Sequence, residues 1–378
     1  MKDAKELIIT GVILALIVIS GCATKTTVAP VSNGAVNTTA AASNFNLKVG
    51  VVYPSTGSLA FYGVPSMKGM EMALKDIKTK YGDEVAALFE DTKSDNKEAV
   101  TAARKLLDVD EADVIITAFT GPSVALAPIV LEKNKLFVYA ALTPKPMEAN
   151  QYSLKFFPNA YDECKKLAAI GKSKGYKTVA GIIAQGDFNQ PCKDAVSSEF
   201  PSAKFYDFPP GSNDMRDILT KIKNDPVDFI VSLGYEQNFI AIFTQKKELG
   251  VTAAEYCGNK NDCFGDKIQS FGEDALEGTV TFDYSVRPSF ADRYMSENPG
   301  ASKTELNPAA EGYDMIMYTY LSAKQCPKKD GPCMVAAAQK ADYESQVVSN
   351  GFGDGRVLKL ETLNEEYIGG KMIEVKVP

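Results

Sequence analysis

An α/β fold of two doubly wound parallel-sheet lobes is what three features of this 378-residue chain predict. Short apolar runs rich in β-branched residues alternate strictly with stretches of helical period. The alternation pauses at Phe156-Phe157-Pro158 and then begins again, which implies a second lobe and a cleft between the two. Successive apolar runs end in turns of glycine, proline and hydroxyl residues, and in a parallel sheet such turns gather at the strands' carboxyl edge. Open α/β sheets take their ligands at that edge. The length itself exceeds what one ordinary core organises.

The first strand is Leu47 to Tyr53, turned by Pro54-Ser55-Thr56-Gly57. Gly63 to Lys80 follows as an amphipathic helix with Met67, Met70, Ala73, Leu74 and Ile77 on its inner side. Val85 to Glu90 is the second strand, and Asp91 to Asp95 leads into a helix whose Ala99, Ala102, Ala103, Leu106 and Leu107 face inward. Two further runs, Val114 to Ile116 and Leu136 to Ala140, end in Thr120-Gly121-Pro122-Ser123 and in Ala141-Leu142-Thr143-Pro144.

Those two turns have the chemistry of an anion seat. Pro122 suits a first helical position, so free N–H groups and the Thr120 and Ser123 hydroxyls can point at a carboxylate, with Gly121 admitting a ligand close to the backbone. An ordinary N-cap and loop would use the same residues.

In the second half, a helix runs from about Tyr161 and a strand from Thr178 to Ile183. The turn Gln185 to Asn189, a helix through Phe200, the strand Lys204 to Phe208 and a helix Met215 to Asn224 come next. Asp228 to Leu233 is a strand, then Gly234-Tyr235-Glu236 opens a helix to Leu249, followed by a loop from Cys257 to Cys263. Gly278 to Tyr284 reads as a strand leading back across, with helices at Phe290 to Glu297 and Asn307 to Ala323. The tail is a pair of strands, Arg356 to Leu360 and Lys371 to Val377, with no second membrane segment.

Before the fold, Lys2 and Lys5 precede the apolar run Leu7 to Ile19 and then Ile19-Ser20-Gly21-Cys22. The run is too short to span a bilayer and suits a signal peptide. The small residues before Cys22 resemble a lipoprotein signal, cleaved there and lipidated on sulfur; an incidental cysteine after an ordinary signal is the alternative. Residues 23 to 46, poor in core pattern, read as a flexible tether, with a glycosylation sequon at Asn37. The other six cysteines are Cys164, Cys192, Cys257, Cys263, Cys326 and Cys333. Disulfides are expected in an exported chain. Cys257–Cys263 and Cys326–Cys333 would close short loops and Cys164–Cys192 would join neighbouring βα units, with free thiols or a metal site as the alternatives. The absence of histidine and of CxxC argues against zinc.

A net charge of −7 and a pI near 5.0 give no reason to expect nucleic acid as a partner. A histidine-free chain has no Ser-His-Asp or Cys-His pair, and no GxSxG, Walker or GxGxxG motif is present, so no catalytic residue and no cofactor are expected. Ser94-Asp95-Asn96 imitates a β-lactamase element but lacks its Lys-Thr-Gly companion.

The stretches LKVGVVYPSTGSLAFYGVPSMKGMEMAL, FEDTKSDNKEAVTAARKLL, ADVIITAFTGPSVALAPIVLEKNKLFVYAALTP and NPAAEGYDMI together resemble the type I periplasmic binding proteins of the leucine/isoleucine/valine-binding kind. The resemblance runs from about Leu47 to the end, closer in the first lobe than in the second. It implies a monomeric two-lobed clamp with three hinge strands, closing over a small carboxylate or amino acid for an ABC import permease, outside the cytoplasm and held to the membrane through Cys22. A sensory surface receptor of the same fold without transport is the alternative. The implied domains are a signal at 1–22, the tether at 23–46, lobe 1 at 47–157 plus 286–345, and lobe 2 at 158–285 plus 346–378.

The resemblance also implies the ligand contacts. The hydroxyl and amides of the Thr120, Gly121 and Ser123 turn, with Ala141 and Thr143, take the carboxylate. Phe188 and Tyr235 match the aromatic walls, and Phe61 and Tyr62 are further candidates, core packing being the alternative for Phe188, Phe61 and Tyr62. The family's amino-acid receptors hold the ammonium with an acid that here aligns with Lys260, which would repel it. Asp262, Asp187 or Glu236 are the candidates to replace that acid.

Overall fold

The computed structural model describes residues 45–209, 211–265, 268 and 270–378. Cys22, Asn37 and most of the tether lie outside the described residues. Strands β1 (Asn46–Tyr53), β2 (Glu84–Asp91), β3 (Val114–Ala118), β4 (Leu136–Ala140) and β5 (Ser153–Lys155) form one sheet in the order β2-β1-β3-β4-β5. Every pairing in it is parallel. β3 and β4 are buried along their whole length, as strands covered by helices on both faces must be.

The helices Ala60–Tyr81 and Leu306–Lys324 pack on one face of this sheet around Met70, Ile77, Ala310 and Ile316. Asn96–Asp108 and Thr120–Glu132 cover the other with Ala103, Leu106, Leu126 and Val130. The first pair is held close by reciprocal glycines. A Cβ on Gly69 would fall on the Ala309 carbonyl, and one on Gly312 on the Ser66 carbonyl.

The second sheet has seven strands: β6 (Val179–Ala184), β7 (Lys204–Phe208), β8 (Phe229–Leu233), β9 (Ala254–Asn259), β10 (Val280–Tyr284), β11 (Thr362–Ile368) and β12 (Lys371–Glu374). They run in the order β12-β11-β10-β9-β8-β6-β7, parallel from β10 to β7, with β11 antiparallel to both its neighbours. A separate core centred on Ile182, Phe229 and Tyr256 belongs to it. Val347, Phe352 and Leu358, from the late part of the chain, pack into the first lobe's core.

Four local differences from the sequence expectations have physical causes. The long amphipathic helix begins at Ala60, three residues before Gly63, and so takes in Phe61 and Tyr62. Cys257 lies on a strand, β9, whose alternation is hidden by Gly258 and Asn259, and only Lys260–Cys263 beyond it leaves the sheet, as a short helix. β5 was also hidden, being three residues long. Arg356 to Leu360 is no strand: it makes isolated bridges to Lys155 and Ser349, and the tail hairpin is β11–β12. Its turn is Gly369-Gly370, both at positive φ (54° and 81°), the backbone that a two-residue hairpin requires.

The three expected cysteine pairs are all disulfides. Cys164–Cys192 joins the helices Ala160–Ser173 and Asn189–Glu199, while Cys257–Cys263 and Cys326–Cys333 close short loops. Among the described residues no helix is long and apolar enough to cross a membrane.

Candidate functional site

The carboxyl edges of the two sheets face one another across a cavity of about 120 Å³. β3 reaches it through Phe119, whose backbone is held at φ 67°, ψ 150° and whose N–H donates to the Ala140 carbonyl (2.8 Å). That bond ties the end of β3 to the end of β4, so Thr120 and Ala141 come to the cavity together. A non-glycine residue in such a conformation costs on the order of 1–3 kcal/mol and persists where the surrounding structure over-determines it, as the bond to Ala140 does here.

The helix Thr120–Glu132 starts at this point with no side-chain cap. Pro122 is its third residue, not its first. Pro122 has no N–H, and Ser123 N–H already donates to the Phe119 carbonyl (3.1 Å), so the helix start offers the amides of Thr120 and Gly121. With the helix dipole behind them, they make a positive patch with no charged side chain.

Of the other residues expected at the site, Tyr62, Phe188 and Tyr235 also line the cavity. Gly121 lines an adjoining groove that opens past Ser94, Asn96 and Gln185. Ser123 is fully buried, its hydroxyl without a hydrogen-bond partner among the described residues. Thr143 is also fully buried, and its Oγ1 accepts the N–H of Lys145 in a local turn (3.4 Å). Neither Ser123 nor Thr143 is part of the cavity wall. Phe61 lies on the exposed side of the helix start, edge-on to Tyr62 at 5.0 Å.

Lys260 points away, to Glu365 (2.7 Å) and Asp283 (3.4 Å). Its ammonium is thus balanced within its own lobe, and although burial pulls the other way, these two carboxylates raise its pKa. The acid that does enter the cavity is Asp262, two residues on. It is set on the short helix Lys260–Cys263, which Asn259 caps by accepting the Asn261 N–H (2.8 Å).

Asp262 lies deep between the lobes. Burial pushes its carboxyl up to about 7, with the neighbouring Glu236 adding to the rise and the hydrogen bond from Tyr62 Oη opposing it. That hydrogen bond crosses the cleft, because Tyr62 belongs to the first lobe and Asp262 to the second. At the rim Lys145 and Asp187 make a second crossing ion pair. Burial, aided by the Asp262 charge, lifts the Tyr235 hydroxyl to about 12, so the ring is a neutral wall.

Sequence reasoning missed one wall residue of consequence. Glu311, only 5% exposed, enters the cavity from the helix Leu306–Lys324. The first turn of that helix is fixed to β10 by Asn307, whose Nδ2 donates to Asp283 Oδ1 and to the Tyr284 carbonyl (both 2.9 Å). The available signal was a lone glutamate on a stretch whose neighbours Ala309, Ala310 and Tyr313 already read as core. The cavity therefore has carboxyls from both lobes, several tyrosine hydroxyls, an uncharged helix start and no lysine or arginine among the described residues that line it.

A family model described as "Periplasmic binding protein" matches residues 46–359. This chain belongs to the periplasmic binding proteins. A relative of this periplasmic binding protein, the Leu/Ile/Val-binding protein homolog 7 of Brucella melitensis, is 23% identical over 269 residues, covering 65% of this chain and 67% of its own. Among solved structures, the branched-chain amino acid transporter substrate binding protein from Streptococcus pneumoniae, in complex with isoleucine, superposes with a TM-score of 0.76. It is 18% identical, over 88% of this chain and 100% of that one. A solute binding protein of an ABC transporter from R. palustris, in complex with 4-hydroxybenzoate, gives 0.75 at 18% identity, over 88% and 96% of the two chains. These likenesses establish the type I two-lobed fold.

Proposed function

We propose that this periplasmic binding protein is the lipid-anchored receptor of an ABC importer and that its cargo is a small α-amino acid or a close analogue. The observation that carries the reading is the pairing of opposite polarities across one cavity. The uncapped helix start at Thr120, with the turn at Ala141, suits a carboxylate, and the buried Asp262 facing it from the other lobe suits an ammonium. Tyr62, Phe188 and Tyr235 supply the walls. The isoleucine and the 4-hydroxybenzoate of the two solved relatives both carry a carboxylate, and only isoleucine carries an amine; Asp262 favours the amine. Export and anchoring at Cys22 follow from the apolar run and the Ile-Ser-Gly-Cys that ends it.

The test is a thermal-shift and calorimetric screen of the purified protein against α-amino acids and against carboxylates lacking the amine. A ligand at 100 times its dissociation constant stabilises by about 2.7 kcal/mol, a shift readily seen. Binding of α-amino acids that Asp262→Asn weakens supports the reading. Binding confined to amine-free carboxylates would refute the amino-acid assignment, and no binding in either set would refute the receptor assignment.

A further inference from the structure

Glu311 is an expensive residue for a cavity that accepts only aliphatic side chains. A buried carboxyl on a helix that packs into the first lobe's core costs several kcal/mol unless it has partners. Among the described residues its oxygens accept one hydrogen bond, a long one from Tyr284 Oη (3.4 Å). The nearby Tyr53 hydroxyl donates instead to Met315 Sδ (3.4 Å). Lys155, the cation whose charge reaches Glu311, directs its ammonium to the carbonyls of Phe157 and Pro158. A carboxylate has about four acceptor positions. Most of those on Glu311 are left for something in the cavity.

Its place in the fold says which part of a ligand it would meet. The helices that carry Thr120 and Glu311 pack on opposite faces of the first sheet, so the two residues flank its carboxyl edge from opposite sides. A ligand whose carboxylate sits at Thr120 has its far end toward Glu311.

Building on the amino-acid reading above, we infer that Glu311 sets specificity, and that the cavity selects ligands whose end remote from the carboxylate carries a hydroxyl, an amide N–H or an ammonium. The desolvation that raises the Glu311 pKa to about 8 is offset when such a donor or cation is bound, which favours the ionised carboxylate. A site built around a buried acceptor rejects the analogue that leaves it unpaired.

The experiment is titration calorimetry of the full chain with matched pairs that differ by the donor: L-valine and L-threonine, L-norleucine and L-lysine, benzoate and 4-hydroxybenzoate. Glu311→Leu and Glu311→Gln are titrated alongside, with their melting temperatures as the control of fold. The donor-bearing member of at least one pair is expected to bind roughly tenfold or more tighter to the wild type, and Glu311→Leu to abolish that preference without weakening the apolar member. If Glu311→Leu does not fold, Glu311→Gln decides through the lysine and norleucine pair, where an undiminished advantage of lysine would overturn the role of Glu311. That variant keeps an acceptor and loses the charge, so it lowers the advantage of lysine over norleucine and leaves that of threonine over valine nearly unchanged. A wild type that binds the apolar member as well as its partner in every pair, or a preference that survives both substitutions, overturns the role of Glu311 alone. Absence of binding by every member overturns the receptor reading and this inference together.

Discussion

Asp262 and Lys260 show how far two positions in one short helix can differ. Lys260 aligns with the place where an acid was expected, and repulsion of an ammonium followed from its charge. In the fold that charge is met by Glu365 and Asp283, and the residue that faces the cavity is Asp262. A sequence gives the order of the two side chains but not which of them a four-residue helix turns inward. Thr120→Ala is expected to weaken ligand binding by about 1–3 kcal/mol with little change in melting temperature, read by calorimetry. Ser123→Ala is expected to leave affinity unchanged. By removing a buried hydroxyl that has no partner, it should hold or raise stability by about 1 kcal/mol in a urea titration; a clear loss of affinity would place Ser123 in the ligand's path after all.

At the scale of elements, most strands and helices were legible because a parallel sheet covered on both faces leaves uninterrupted apolar runs such as β3 and β4. The elements that escaped are short or broken by turn-forming residues: β5 with three residues, β9 with its Gly258-Asn259, and β11, whose burial alternates weakly at the sheet's margin. The cavity was legible where it is made of turns, at Thr120, Ala141 and Tyr235. It was not legible at Glu311, because the direction in which that side chain points depends on the packing of Leu306–Lys324 against Ala60–Tyr81. That contact is set by Gly69 and Gly312, so Gly312→Ala is expected to force the helices apart, lowering stability by about 1–3 kcal/mol and weakening binding together. A loss of stability with affinity intact would show that the cavity tolerates the shift. The Cys164–Cys192 bridge lies away from the cavity, and replacing both cysteines by serine is expected to cost about 2–4 kcal/mol in unfolding with the ligand's dissociation constant unchanged.

The whole molecule should register its buried acids as a slope of stability with pH. Asp262 rises from 3.8 to about 7 and Glu311 from 4.5 to about 8, burial being the leading cause for each. Between those limits the folded protein holds protons that the unfolded chain has released. Stability therefore falls as pH rises through that interval, since ∂ΔG/∂pH follows the protons bound unfolded minus those bound folded. Asp91, lowered to about 2, has the opposite effect only below its unfolded value of 3.8, and Lys155, which burial lowers from 10.5 to about 7, has it only towards the top of the interval and above. From pH 5 to 7 the melting temperature is thus expected to decline, and Asp262→Asn to flatten the decline; calorimetric scans that rise over this range would reject the assignment. An ammonium-bearing ligand should bind more tightly across the same interval, as it meets a carboxylate instead of a carboxylic acid.

The bond from Tyr62 to Asp262 joins the lobes using groups of the protein alone. A cargo whose amine is to reach Asp262 must share or displace it, so measured affinity is the remainder after an internal rival has been outbid. Under the proposed receptor role, a permease that reads only the shut outline would then be offered blanks as well as parcels. Tyr62→Phe, which removes the rival hydroxyl and keeps the ring, separates the two effects: a larger radius of gyration in solution without solute, together with tighter binding once solute is added, is the expected pair of results.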